Sequence, residues 1–238
     1  MRVVLATTGG AYGRRIAEGL RERGVPISAV LIDVHRPTLR AAIRRPRRLV
    51  GSIRRRLQAR PLDAVAPLVA VDNINRPRGV RALRALAPDL LVLGGARILS
   101  GEVLSVPSVG TLNAHPARLP GFRGTGVVGW SILEGAPVTV TVHFASPDVD
   151  AGDIVARRLV PIEVGDILEA IEERADRLCA NTLADVVARA WRGEHLPREH
   201  QEASPIVYRW LDPEGRARCA RLVAEGEALR LYRNAISA

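Results

Sequence analysis

Asn113 and His115 stand two residues apart at the end of a predicted strand, and Pro116 turns the chain into a loop directly after them. Side chains two apart on a strand point to the same face. In open α/β sheets, ligand sites lie at the carboxyl ends of strands. The pair therefore presents an amide and an imidazole together at a cleft, which offers hydrogen bonding and proton transfer. A second cluster, Asp148, Asp150 and Asp153, occupies the loop after a strand ending at Phe144. Three acids in a tight loop can bind a cation, cap a helix, supply a base or simply shape a turn. On spacing alone, a loop-stabilising Asn and a hydrogen-bonded His are the favoured account of the first cluster.

Other chemistries are excluded more firmly. The 238 residues hold 35 basic side chains, all of them Arg and none Lys. Schiff-base catalysis and a pyridoxal-phosphate anchor both need a lysine amine. The Walker A loop also ends in Gly-Lys-Ser/Thr. Gly124-Thr125-Gly126-Val127-Val128-Gly129 matches G-x-G-x-x-G, but it follows a proline-rich loop instead of a strand, so the dinucleotide reading fails. Ser131 lacks the G-x-S-x-G frame of a hydrolase elbow. His195 and His200 are five apart with Pro197 between them, which is not a helical zinc pair. Cys179 falls on a predicted helix and reads as packing. No metal is called for.

These residues need a scaffold, and the pattern predicts an α/β fold. Arg2 to Thr7 is an apolar run typical of a buried parallel strand. A glycine-rich turn from Thr8 to Gly13 follows, then a helix carrying Ile16 and Leu20 that stops at Gly24, then a strand from Ile27 to Val34. That succession is a βαβ unit. Further strands are expected at Leu90–Leu93, Val109–His115, Val138–Phe144 and Ile154–Ile162. One long helix is expected from Asp166 to Trp191, with Gly193 as its stop. The last ~40 residues, with Trp210, Pro213 and Gly215, read as an appendage to a single domain.

Together the clusters resemble the formyltransferase family that uses 10-formyltetrahydrofolate. The family pattern stands here as Asn113-Ala114-His115-Pro116-Ala117-Arg118-Leu119-Pro120-Gly121-Phe122-Arg123-Gly124, followed by Val142-His143-Phe144 and Val149-Asp150-Ala151-Gly152-Asp153. Arg97-Ile98-Leu99-Ser100 is similar to the family's folate-pocket stretch. The resemblance covers about residues 1 to 195 and implies a Rossmann-like formyltransferase fold: a mostly parallel twisted sheet flanked by helices, with a short C-terminal extension over 196–238. It implies Asn113, His115 and Asp150 as the catalytic trio. It implies Arg97, Ile98, Leu99 and Leu104, with Ala145, Asp148 and Val149, around the pterin of 10-formyltetrahydrofolate, the formyl donor. Ala117 replaces a usual Ser, and Thr125-Gly126-Val127 replaces the commoner Ala-Ala-Pro; both departures bear on substrate identity.

The implied chemistry suits the residue types. An amine attacks a formamide carbonyl and a tetrahedral oxyanion forms. Asn113 and protonated His115 can donate to that oxygen, and one such donor is typically worth about 10²–10³ in rate. Asp150 can accept the amine's proton or hold His115 charged, because a neighbouring carboxylate favours imidazolium. The expected reaction is formyl transfer to a primary amine of a small metabolite, an amino sugar on a nucleotide or an amino-acid-like amine. Alternatives are hydrolysis of the formyl-folate, a methionyl-tRNA formyltransferase-like enzyme, and a non-catalytic folate- or nucleic-acid-binding protein.

Acceptor recognition is less legible. The turn holding Gly9, Gly10, Tyr12 and Arg14 can cradle an anionic part of the amine at a helix N-terminus, or serve only as a tight turn. It lacks the Ser-Gly-x-Gly-Ser-Asn loop of glycinamide ribonucleotide formyltransferases. From Arg36 to Arg60 there are ten Arg and no acid, so the whole net charge of +10 sits in one predicted helical insertion. That insertion is either solvated, a docking face for an acidic substrate or carrier protein, or a nucleic-acid contact; it holds no aromatic residue for base stacking. The ~40 residues after the resemblance are fewer than the tRNA enzymes' additional β domain, which places a small amine ahead of tRNA. The first apolar run is too short for a signal peptide and no run spans a membrane, so a cytoplasmic protein is expected. Two cysteines fit a reduced compartment. Ile206, Val207, Tyr208 and Trp210 either cover the core or form a homodimer patch.

Overall fold

This computed structural model describes residues 1–34, 62–202 and 206–237; the basic segment over 36–60 lies outside them. The chain divides into two compact units, Met1–Asn113 with Val187–Glu194, and Ala114–Val186 with His195–Ala238.

The first unit is built on β1 (Val3–Thr7), α1 (Ala11–Glu22), β2 (Ile27–Asp33), β3 (Leu68–Val71), α2 (Pro77–Leu86), β4 (Leu90–Gly94), α3 (Gly101–Leu104) and the start of β5 (Gly110–His115). β1 pairs in parallel with β2 and β4, β2 with β3, and β4 with β5. Every residue of β1 and β4 is buried. Strands covered on both faces read as unbroken apolar runs, which is why these two are visible in the sequence. Thr7 ties the β1–α1 turn to the next strand: its Oγ1 donates to the Gly94 carbonyl at 2.6 Å and accepts from Gly9 N–H at 3.0 Å.

The second unit takes the end of β5 and adds β6 (Arg123–Gly124), α4 (Val127–Leu133), β7 (Thr139–Phe144), β8 (Ile154–Leu159), most of α5 (Leu168–Trp191), β9 (Val207–Tyr208), α6 (Pro213–Ala224) and α7 (Glu227–Ile236). β7 and β8 pair antiparallel. The strand order is β3-β2-β1-β4-β5-β7-β8, with β5 common to both units, and β6 pairs in parallel with β9 as a separate small ladder. The mostly parallel sheet with flanking helices is the expected fold class. The 196–238 stretch packs within the second unit. Among the described residues, no helix is long and apolar enough to cross a membrane.

Candidate active site

β5 carries Asn113 and His115 to the carboxyl end of the strand, Asn113 half-buried and His115 buried. β7 ends at Phe144, and the loop after it brings Asp150 to His115: His115 Nδ1 lies 3.4 Å from Asp150 Oδ2. The two residues of the sequence-expected trio that belong to the second unit therefore meet. Asp148 is exposed on the same loop, while Ala145 and Val149 are half-buried.

The protons of this cluster can be placed. His115 Nε2 lies 2.6 Å from the Phe122 carbonyl. A carbonyl only accepts, so that nitrogen carries hydrogen. His115 Nδ1 is left toward the Asp150 carboxylate. A second imidazole mirrors the first. His143 Nδ1 donates to the Phe144 carbonyl at 2.8 Å, and its Nε2 stands 3.6 Å from Asp150 Oδ1. Burial pushes His143 down to about 4, against the opposing pull of Asp150 and of the Phe144 carbonyl. His143 is thus neutral at pH 7 and turns an unprotonated nitrogen to the carboxylate. His143 stands in the recognised Val-His-Phe motif, but it was not among the expected site residues.

Asp150 is held at both its carboxylate and its carbonyl. Its Oδ2 accepts from Gly124 N–H at 3.0 Å. Its carbonyl accepts from Gln201 Nε2 at 3.1 Å, and the same amide nitrogen donates to Gly152 O at 2.5 Å. Gln201 Oε1 in turn accepts from Arg123 Nη2 at 3.1 Å. This clamp matters because Asp150 has φ 49, a left-handed conformation that costs a non-glycine residue on the order of 1–3 kcal/mol. Gln201 is buried in the C-terminal stretch, and nothing in its sequence surroundings marks it.

The glycines of the apparent dinucleotide motif have another purpose. Gly124 has φ 104, and a Cβ there would come within 2.2 Å of the Tyr208 carbonyl. A Cβ on Gly129 would come within 2.5 Å of Leu211 Cδ1. The motif lets the C-terminal strand β9 lie against β6, backbone on backbone. Thr125 N–H donates to Tyr208 O at 3.0 Å, and Tyr208 stacks on Phe122 with ring centroids 5.5 Å apart.

In the first unit, the stretch expected to meet folate follows β4. Arg97 Nη2 donates to Asp33 Oδ1 at 2.8 Å, and its Nε donates to the other carboxylate oxygen. Asn75, which sequence reasoning missed, fixes the next residues: its Nδ2 donates to Ile98 O and its Oδ1 accepts from Ser100 N–H, both at 2.9 Å. Leu99 is buried and Leu104 half-buried, while Ile98 keeps 67% of its surface exposed. An apolar side chain on a pinned backbone, at the carboxyl end of a parallel strand, fits a flat aromatic ring. Gly9, Gly10, Tyr12 and Arg14 lie in the β1–α1 turn and the first turn of α1. Gly9 N–H is already taken by Thr7 Oγ1.

Comparison with known proteins identifies the family. Residues 1–187 match the family model described as Formyl transferase. The chain is 30% identical over 183 residues to a methionyl-tRNA formyltransferase of Citrifermentans bemidjiense, covering 70% of this chain and 58% of the relative. It is 34% identical over 176 residues to that of Chloroflexus aggregans, covering 70% and 57%. The chain thus spans little more than half the length of these relatives. Among solved structures, a sugar N-formyltransferase from Shewanella sp FDAARGOS_354 superposes with a TM-score of 0.61 at 16% identity, covering 87% of this chain and 76% of that one. A phosphoribosylglycinamide formyltransferase from Coxiella burnetii gives 0.61 at 21%, covering 84% and 92%. At these identities the structures speak for the fold alone.

Proposed function

Because the chain belongs to the formyl transferase family, we propose that it is an N-formyltransferase that takes the formyl group of 10-formyltetrahydrofolate and delivers it to a primary amine of a small metabolite. The observation that carries this reading is the Asp150 carboxylate set between His115 and His143, with His115 two residues beyond Asn113 on β5. The amine nitrogen bonds to the formyl carbon, and the bond from that carbon to the donor nitrogen breaks. One proton leaves the amine for Asp150, and one reaches the departing donor nitrogen from His115. The amide of Asn113 and a protonated His115 oppose the negative charge that grows on the formyl oxygen. Asp150 balances that cation and takes up the proton, directly or through water.

The test is consumption of 10-formyltetrahydrofolate with and without added amines. The wild type consumes donor in proportion to amine, and His115→Ala and Asp150→Asn each lose about 10²–10³ in rate while staying folded. A folded His115→Ala protein with full turnover refutes the assignment.

A further inference from the structure

A cavity of about 310 Å³ opens within the second unit beside the proton-transfer pair. Its lining includes Pro116, which follows His115 in the chain, and Gly124, whose N–H holds Asp150. We propose that this cavity is the acceptor pocket, and that it takes a small, phosphate-free primary amine whose other polar groups are hydrogen-bond donors, hydroxyl or ammonium. The inference rests on the transferase reading above and names the substrate class for it.

Size is the first argument. Ligand pockets span about 300–1,000 Å³. This one lies at the small end, which suits a small metabolite.

Charge is the second. Glu172 and Asp176 line the cavity four residues apart on α5, which places them on one face of the helix. Arg216 is the cation on the wall, and its guanidinium is committed to carboxylates: 2.8 and 2.9 Å to Glu172, and 2.8 Å to Glu169. Two acids against one Arg make the lining net acidic in a chain whose net charge is +10. A carboxylate-lined wall draws an ammonium and repels a phosphate. Carboxylates also accept from hydroxyls, and they have nothing to offer a phosphate oxygen.

The third argument is Trp210. Its ring borders the cavity with 76% of its surface exposed, an unusual position for a large aromatic side chain. With Pro116, Val127 and Val128 it gives the carbon skeleton of the acceptor an apolar face. An indole ring also attracts a cation placed over it.

The experiment uses the full chain with 10-formyltetrahydrofolate and three probe amines: glucosamine, glucosamine 6-phosphate and putrescine. At least one phosphate-free amine is expected to exceed glucosamine 6-phosphate in kcat/KM by about tenfold. Trp210→Ala and Asp176→Asn are each expected to raise the KM for that amine by about tenfold and to leave the donor KM unchanged. Both side chains are exposed, so neither truncation threatens the fold. Preference for the phosphorylated amine overturns the proposal, as does donor consumption that ignores added amine. An amine KM unmoved in both variants overturns the pocket alone and leaves formyl transfer standing. A wild type that consumes no donor with any probe overturns both readings.

Discussion

Replacing Gln201 with Met keeps the length and volume of the side chain and removes its polar ends. Gln201 is buried and makes three hydrogen bonds: two donated to the carbonyls of Asp150 and Gly152, and one accepted from Arg123. Arg123 keeps a bond from Nη2 to the Glu202 carbonyl at 3.0 Å, so its charge is not stranded. The two carbonyls lose this donor, and a buried group left unsatisfied costs about 1–3 kcal/mol. The expected loss of stability is about 3 kcal/mol. In a chain of this size that lowers the Tm by about 6–12 °C, and the protein still folds at 15 °C. The second effect is on turnover. Asp150 sits at φ 49, and without the hold on its carbonyl it relaxes toward an unstrained conformation. A displacement of about 1 Å in a reacting group costs roughly 10² in rate. The assays are thermal unfolding, and amine-dependent donor consumption at 15 °C. An unchanged Tm refutes the clamp. A lowered Tm with full turnover refutes the claim that Gln201 positions Asp150.

Two further outcomes follow from the same site. His143 titrates near 4 in the folded protein, against about 6.5 when unfolded. Between those values the unfolded chain binds a proton that the folded one refuses, so stability falls as pH drops from about 6.5 to 4, by about 3 kcal/mol in all. His143→Gln should flatten that part of a urea-unfolding profile against pH, and an unchanged slope counts against the assignment. Ile98→Asp places a charge on the exposed apolar residue after β4; calorimetric binding of a non-reactive formyl-folate analogue should weaken by about tenfold or more while the Tm holds. Unaltered binding removes Ile98 from the donor site.

The unequal legibility of these features has physical causes. β1, β4, β5, β7 and α5 announce themselves because burial on both faces, or along a helical stripe, demands runs of apolar residues. β3 was missed because only Val71 of its four residues is buried, the mark of an outer strand. α2 is short and four of its ten residues are Arg or Pro, so its pattern of buried positions, Gly79, Val80 and Leu83, is thin. In the site, Asn113 and His115 stood out by their two-residue spacing at a strand end, and Asp150 through the motif shared with the family. Gln201 and Asn75 left no such trace. A lone amide that bonds to backbone carbonyls and N–H groups far away in sequence has no local signature, and only the folded path reveals what it holds. The G-x-G-x-x-G run shows the converse: its local pattern is clear, and its meaning is close packing of β9 on β6.

That packing also bears on where this catalytic module ends. The family match stops at residue 187, and a recombinant fragment trimmed to that boundary would look complete by homology. It would lack the β9 rung on Gly124 and the side chain of Gln201. Asp150 would keep its sequence position and lose the Gln201 hold on its carbonyl. In hydrogen exchange, the amide of Thr125 should be protected in the full chain and open in the fragment, since its acceptor is Tyr208 O. The evolutionary unit and the cooperative unit then differ by the tail: the stretch beyond the family match is the splint that sets the Asp150 loop.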